Sequence, residues 1–332
     1  MDVVVLLGSF ALLVAIGVPV AYSLGISAII GALWIDIPID AIMIQIAAGV
    51  NKFSLLAIPF FVLAGAIMAE GGMSRRLVAF ASVFVGFIRG GLSLVNVLAS
   101  TFFGAISGSS VADTASIGSV LIPEMEKKGY PRDFATAVTV SGSVQAILIP
   151  PSHNMVIYSL AAGGSVSISA LFIAGVFPGV LLGSTLIMLC LTIARKRGFP
   201  AGEKIPTAQA LRMAAEALWG LATIVIILGG ILSGVFTATE SAAIAVLWAF
   251  FVTMFIYRDY KWRDLPKLAH RVVKTVSIVM ILIGFAAAFG FMLTLMQVPQ
   301  KMGELLKAVS DNKYVVLLTV NVLMLALGTL MD

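Results

Sequence analysis

From Ile168 to Ala194 the chain runs without one charged residue. That is longer than the roughly 20 apolar residues a helix needs to cross a hydrocarbon core, so such a run constrains the fold to one built in lipid. The rest of the chain agrees: 60% of its 332 residues are hydrophobic and 11% are charged, against about a half and a quarter in a soluble domain. Its mean hydropathy is +1.09. The formal charge of +5 does not point to nucleic acid. The basic residues sit in short blocks between apolar runs, at Arg195, Lys196 and Arg197 and again along 258–274, which is the positive-inside pattern of cytoplasmic loops. A single cysteine, Cys190, excludes an intrachain disulfide. The N-terminus lacks the basic region and small-residue cleavage site of a secretory signal and reads as membrane segment from the start, with 3–35 forming one or two spans.

The apolar segments are not equivalent. Between Leu92 and Ile106 lie about 15 residues, a helix of only ~22 Å against a core of ~30 Å. The turn composition Ser107, Gly108, Ser109, Ser110 follows, then a second short limb ending at Pro123. Neither limb can cross, so the pair predicts a re-entrant hairpin. Its non-helical tip sits at membrane depth, where such backbone is tolerated only if protein covers it or it lines a cavity. Arg89 on one side and Lys127, Lys128 and Arg132 on the other put both hairpin ends on the cytoplasmic face. Counting spans from there, 133–163 goes out, 168–194 returns, 216–234 and 242–257 form the next pair, and 275–297 goes out. Every large basic block then lands inside.

Sliding the chain by 225 positions (283 − 58) pairs Ile58 with Ile283, Gly65 with Gly290, and Val95, Asn96, Val97, Leu98 with Val320, Asn321, Val322, Leu323. The second copy of the hairpin would enter from the opposite face, which is the signature of an inverted repeat. The short segments 77–88 and 302–313 correspond in the same alignment and read as arm helices lying along the membrane surface. The expected organisation places scaffold helices of the first repeat in 1–71 and a cytoplasmic arm in 72–91. A first transport half (92–163) follows, with hairpin 92–125 and broken helix 133–163. Connecting and scaffold helices fill 164–297, a periplasmic arm 298–313, and the start of a second hairpin 314–332, which implies a truncated chain. The fold class is an all-α polytopic membrane protein with an inverted repeat, re-entrant hairpins and broken transmembrane helices.

The chemistry is expected where those elements break. Pro150 and Pro151 lie deep in the segment 133–163 and interrupt its helix. A broken helix facing a hairpin tip can offer freed carbonyls to cations and half-helix N-termini to carboxylates. The candidates are Ser107, Ser109 and Ser110 at the tip and Gly142, Gln145, Pro150 and Ser152 at the break, and the competing role for such small residues is close helix packing. Asp113, near the tip, either binds a cation or caps the second limb. Glu240 reads as a turn or helix start, His270 as a solvated loop residue and His153 as a neighbour of the site. Ser107 or Ser152, His153 and Asp113 are also the residue types of a nucleophilic triad, but no GxSxG surrounds these serines and the reading is not of an enzyme. No GxxxxGK[ST] phosphate loop is present to couple any movement to ATP.

At this point the residues resemble a known family. The stretch FFGAISGSSVADTASIGSVLIPEMEKKGY (102–130), then ILIPPS (147–152), FTATES (236–241) and LGTLMD (327–332) look like blocks of the M subunit of tripartite ATP-independent periplasmic transporters. Ala238 stands where that family usually has proline, and His153 where it often has an apolar residue. The resemblance implies a scaffold holding an elevator-type transport domain and sodium-coupled symport of a small organic acid across the bacterial inner membrane. It also implies a small four-helix membrane subunit of the Q type and a periplasmic substrate-binding protein as partners. Carried over, the hairpin serines with the carbonyls near Gly142, Gln145 and Pro150 hold one sodium, and Gly328 contributes to a second. Ser107, Ser152 and Asp332 line the substrate pocket, with His153 bearing on substrate choice. C4-dicarboxylates, sialic acid, other sugar acids and keto acids are the substrate classes left open. A stand-alone sodium/dicarboxylate symporter of similar architecture is the alternative within this reading, and a channel or enzyme is the alternative outside it.

Overall fold

The computed structural model describes residues 1–163, 165–310 and 312–330, and among these every regular element is helical. In chain order the α-helices are α1 (Asp2–Ala15), α2 (Val20–Trp34), α3 (Ile39–Val50), α4 (Ala57–Glu70), α5 (Met73–Val85), α6 (Gly91–Ser107), α7 (Ser110–Lys127) and α8 (Arg132–Ser143). They continue as α9 (Gln145–Leu148), α10 (His153–Ala161), α11 (Ile168–Arg197), α12 (Thr207–Leu232), α13 (Ala238–Phe251), α14 (Leu265–Leu295), α15 (Val298–Val309) and α16 (Lys313–Leu330). Five helical stretches among the described residues are long and apolar enough to cross a membrane, and the bent pair 132–148 and 153–161 makes a sixth. The protein is therefore multi-pass.

The helix ends follow from their residues. At the start of α11 the Ser167 hydroxyl accepts from the Ala170 N–H at 3.0 Å, satisfying one of the donors that a helix N-terminus leaves bare. The same helix closes with Arg195, Lys196 and Arg197 against its negative end and with Gly198 in the left-handed conformation. Glu240 resolves as the reciprocal half of a capping box. It accepts from the Thr237 N–H at 2.8 Å while its own N–H donates to the Thr237 hydroxyl at 3.3 Å.

Several boundaries differ from the sequence reading. The second hairpin limb does not end at Pro123 but continues to Lys127, because an internal proline deletes one backbone bond and the later turns re-form beyond it. The spans expected at 216–234 and 275–297 begin earlier, at Thr207 and Leu265. Their added turns are charged and amphipathic, so hydropathy alone misses them. Helix α3 was not anticipated, since its 12 residues are too few to register as a span. The helices α5 and α15 start 225 positions apart (298 − 73), the same offset as the internal alignment.

Two compact units emerge. One spans Phe53–Val276, and the other joins Met1–Lys52 to the chain from Ser277 onward. In the latter, α1 and α2 pack against each other, and Leu6, Ala28, Ile42, Ala288, Met292 and Met296 form the buried core. The former unit holds the hairpin, the broken helix and their supports. At one end Tyr130, Phe134 and Phe199 gather, with the Tyr130 and Phe199 rings 4.5 Å apart. Near the loop before α14, Glu70 is clasped by the Arg271 guanidinium and by the Tyr260 hydroxyl, which donates at 2.8 Å. Burial and the neighbouring Glu70 carboxylate push the Tyr260 phenol up to about 12, so it remains a donor across the physiological range.

Candidate transport site

The turn between α6 and α7 is two residues long. Gly108 closes α6 with φ 60°, a left-handed conformation that side chains other than glycine rarely adopt. Ser109 follows in extended geometry, and its hydroxyl accepts from the Ala112 N–H at 3.3 Å to start α7. Across from the tip, α9 ends at Leu148 and α10 begins at His153, with a bend of 50° over the break. Tip and break are pressed together. A Cβ placed on Gly108 would lie 3.0 Å from the Pro151 carbonyl oxygen, 3.1 Å from Ser152 Cα and 3.2 Å from the His153 nitrogen.

The surrounding helices hold that contact through small residues. A Cβ on Gly104 would come within 2.7 Å of Ala146 Cα, and one on Gly65 within 3.2 Å of Ser107 Cα. The long α11 runs past the break with Gly175, Gly179 and Gly183 on one face. Cβ atoms there would collide with the Leu148 carbonyl, with Ile149 and with the Gln145 side-chain oxygen respectively. Spacing of four residues lets backbones approach at membrane depth. These three glycines went unnoticed in the sequence, although GVFPGVLLG carries the small-residue repeat in plain view.

Of the expected site residues, Ser107, Ser109 and Ser110 stand at the hairpin tip and Pro150, Ser152 and His153 at the break pressed on it, while Gly142 borders Ser100 and Gln145 borders Thr101, further back along α6. Ser107 and Ser152 are both buried, and the Ser152 hydroxyl has no hydrogen-bond partner. His153 opens α10 with its Nδ1 buried and unpartnered. Gln145 is committed: its amide nitrogen donates to the Gly142 carbonyl at 3.2 Å, and its oxygen accepts from the Thr101 hydroxyl at 3.0 Å. The Gly142 carbonyl also takes the Val144 N–H. Coordination of a cation by that carbonyl therefore requires the Gln145 side chain to turn away. Gly328 lies in α16, in the other unit, with open space where a Cβ would be. Asp332 lies outside the described residues.

Asp113 does not cap α7. That position belongs to Ser109, and both Asp113 carboxylate oxygens are buried without a hydrogen-bond partner. Ser152, His153 and Asp113 share no hydrogen bond, so the residue types of a triad are present without its relay. No group of three or more His, Cys, Asp or Glu side chains among the described residues is placed to hold a metal ion. The oxygen atoms on offer are hydroxyls, carbonyls and one lone carboxylate, a set that suits a hard monovalent cation better than a transition metal.

A short helical hairpin pressed on a broken helix, among several helices long and apolar enough to cross a membrane, marks a multi-pass membrane protein. The chain belongs to the tripartite ATP-independent periplasmic transporter family, DctM component, whose sequence pattern matches residues 7–332. It is 42% identical over 333 residues to the YgiK protein of Salmonella typhimurium, covering 99% of this chain and 76% of that one. It is 36% identical over 345 residues to the C4-dicarboxylate TRAP transporter large permease protein DctM of Rhodobacter capsulatus, covering 100% and 78%. It is also 37% identical over 333 residues to the 2,3-diketo-L-gulonate TRAP transporter large permease protein YiaN of Escherichia coli, covering 100% and 78%. This is a family of transporter permeases and not of enzymes.

Proposed function

We propose that this protein is the large membrane subunit of a sodium-coupled importer of a small organic acid, acting in the bacterial inner membrane. A periplasmic binding protein hands the acid over, and a small four-helix membrane subunit completes the assembly. The observation that carries this reading is the apposition of the hairpin tip to the broken helix. It leaves the buried Ser152 hydroxyl unsatisfied and Ser107 beside the tip glycine, at the N-terminus of α10. An unpaired hydroxyl and the positive end of a helix together suit an organic carboxylate. The tip serines and the carbonyls near Gly142, Gln145 and Pro150 are the proposed ligands of one sodium, and Gly328 is proposed to contribute to a second. C4-dicarboxylate and diketogulonate, named for two relatives, are both small organic anions, and they support that class of substrate along with sialic acid and other sugar acids.

The corresponding starts of α5 and α15 support the inverted repeat, and with it an elevator movement in which hairpin and broken helix travel together. The decisive experiment is uptake into proteoliposomes holding the full-length protein with its membrane partner and its binding protein. Uptake is expected with an inward sodium gradient and no ATP. Uptake that continues at the same rate when potassium replaces sodium on both sides would remove the coupling from this proposal.

A further inference from the structure

Asp113 is fully buried, one turn beyond Ser109 on α7, and no ion pair among the described residues includes it. Both its oxygens lack a hydrogen-bond partner. The Ser100 hydroxyl on α6 lies beside it, itself buried and outside hydrogen-bonding geometry. One turn further along the same face of α6, Asn96 donates its amide to the Thr139 hydroxyl at 2.7 Å. The Thr139 hydrogen goes to the Ala135 carbonyl at 2.9 Å, so this hydroxyl can only accept from Asn96. The amide is thereby oriented, and its oxygen is left as another buried acceptor without a donor. Asp113 and Asn96 thus present buried acceptor oxygens without donors, beside a Ser100 hydroxyl that is itself unpartnered, in a region where an uncompensated charge is costly.

We propose that Asp113 and Ser100 form an internal sodium-binding site within the hairpin, set back from its tip serines and bordering Gly142. The offset from the tip follows from the helix: Ser107 lies seven residues beyond Ser100 (107 − 100), about 10 Å along α6. Charge selects the ion. A single carboxylate among neutral oxygens balances one positive charge, whereas calcium takes six to eight oxygens and generally more than one carboxylate. The inference rests on the sodium-coupled reading above and deepens it by adding a bound ion inside the moving hairpin.

The test uses the full-length protein with its membrane partner, purified, and follows thermal unfolding by tryptophan fluorescence. Sodium chloride is titrated against choline chloride at constant ionic strength. Wild type is expected to gain stability with sodium. In Asp113→Asn the sodium concentration giving half of that gain should rise by about tenfold or more, the loss that removing a charged partner from a buried polar site carries. Ser100→Ala should raise it by a smaller factor of about three. A merely structural carboxyl would change the melting temperature without moving the sodium midpoint. If Asp113→Asn folds with an unchanged midpoint, the carboxyl is carried as a neutral acid and the site is refuted. If that variant does not fold, Ser100→Ala decides, and an unchanged midpoint there refutes the site as well. Uptake in sodium and in potassium is measured in parallel on wild type. Sodium-dependent uptake with unmoved midpoints overturns only the Asp113 site, whereas sodium-independent uptake overturns the coupled reading itself.

Discussion

Ser107 and Ser152 are 45 positions apart (152 − 107), and Gly108, next to Ser107, leaves room for the backbone of 151–153 to close on the tip. Replacing either serine with leucine puts a bulky apolar group into a fully packed contact. We expect Ser107→Leu and Ser152→Leu each to reduce uptake to background while expression and assembly with the small subunit persist. Near-normal uptake in both would show that the tip and the break do not enclose the substrate. At this scale the sequence was legible where chemistry and local geometry coincide. A turn of serines around glycine and a doubled proline announce themselves without any knowledge of the fold. Asp113 was harder to read, because its place in the first turn of a helix is where a capping acid belongs. Only the packing of α6 against α7 reveals that the capping bond goes to Ser109 and that the carboxylate is buried without a hydrogen-bond partner. The commitment of Gln145 to Thr101 and Gly142 is likewise a product of tertiary contact and has no trace in the spacing.

Among the elements, α13 depends on a local signal. Its capping box joins Thr237 and Glu240, both exposed, so its contribution can be measured with little interference from packing. Thr237→Ala is expected to lower stability by about 1 kcal/mol, read as a drop in the unfolding midpoint of the detergent-solubilised protein with uptake largely retained. A change within error would assign the start of α13 to its packing on α4 instead. Helix existence was legible for nearly every element because runs of apolar residues fill most of the chain. Helix ends were legible only where apolar character and helical structure stop together. The first turns of α12 and α14 are helical yet polar, and α7 passes through Pro123, so both kinds of boundary escaped a reading based on hydropathy and proline alone. The glycine face of α11 is a further case. Its repeat is visible in the sequence, but its meaning depends on which helix lies opposite, and here that partner is the broken segment at Gln145 and Ile149.

For the molecule as a transporter, the proposed elevator predicts sliding between packed helices. α6 of the hairpin touches α12 within one unit. A cysteine pair with one member in 92–106 and the other in 216–234 should crosslink at different depths in inward-open and outward-open states, and the crosslink should arrest uptake until it is reduced. If one pair crosslinks equally in both states while transport continues, the hairpin does not move past that helix. The grouping of the first 52 residues with the chain beyond Ser277 was not readable at all, since it is a matter of which distant segments share a core. The same distance bears on how the protein is made. Helix α4 packs against α13, and the start of one lies 168 positions beyond the end of the other (238 − 70). At the usual pace of translation, α4 waits roughly 10–30 s for its main neighbour to leave the ribosome. During that interval its helical shape must be kept by the bilayer and by the insertion machinery, so slowing synthesis between the two helices should expose α4 to quality-control proteolysis before the unit can close.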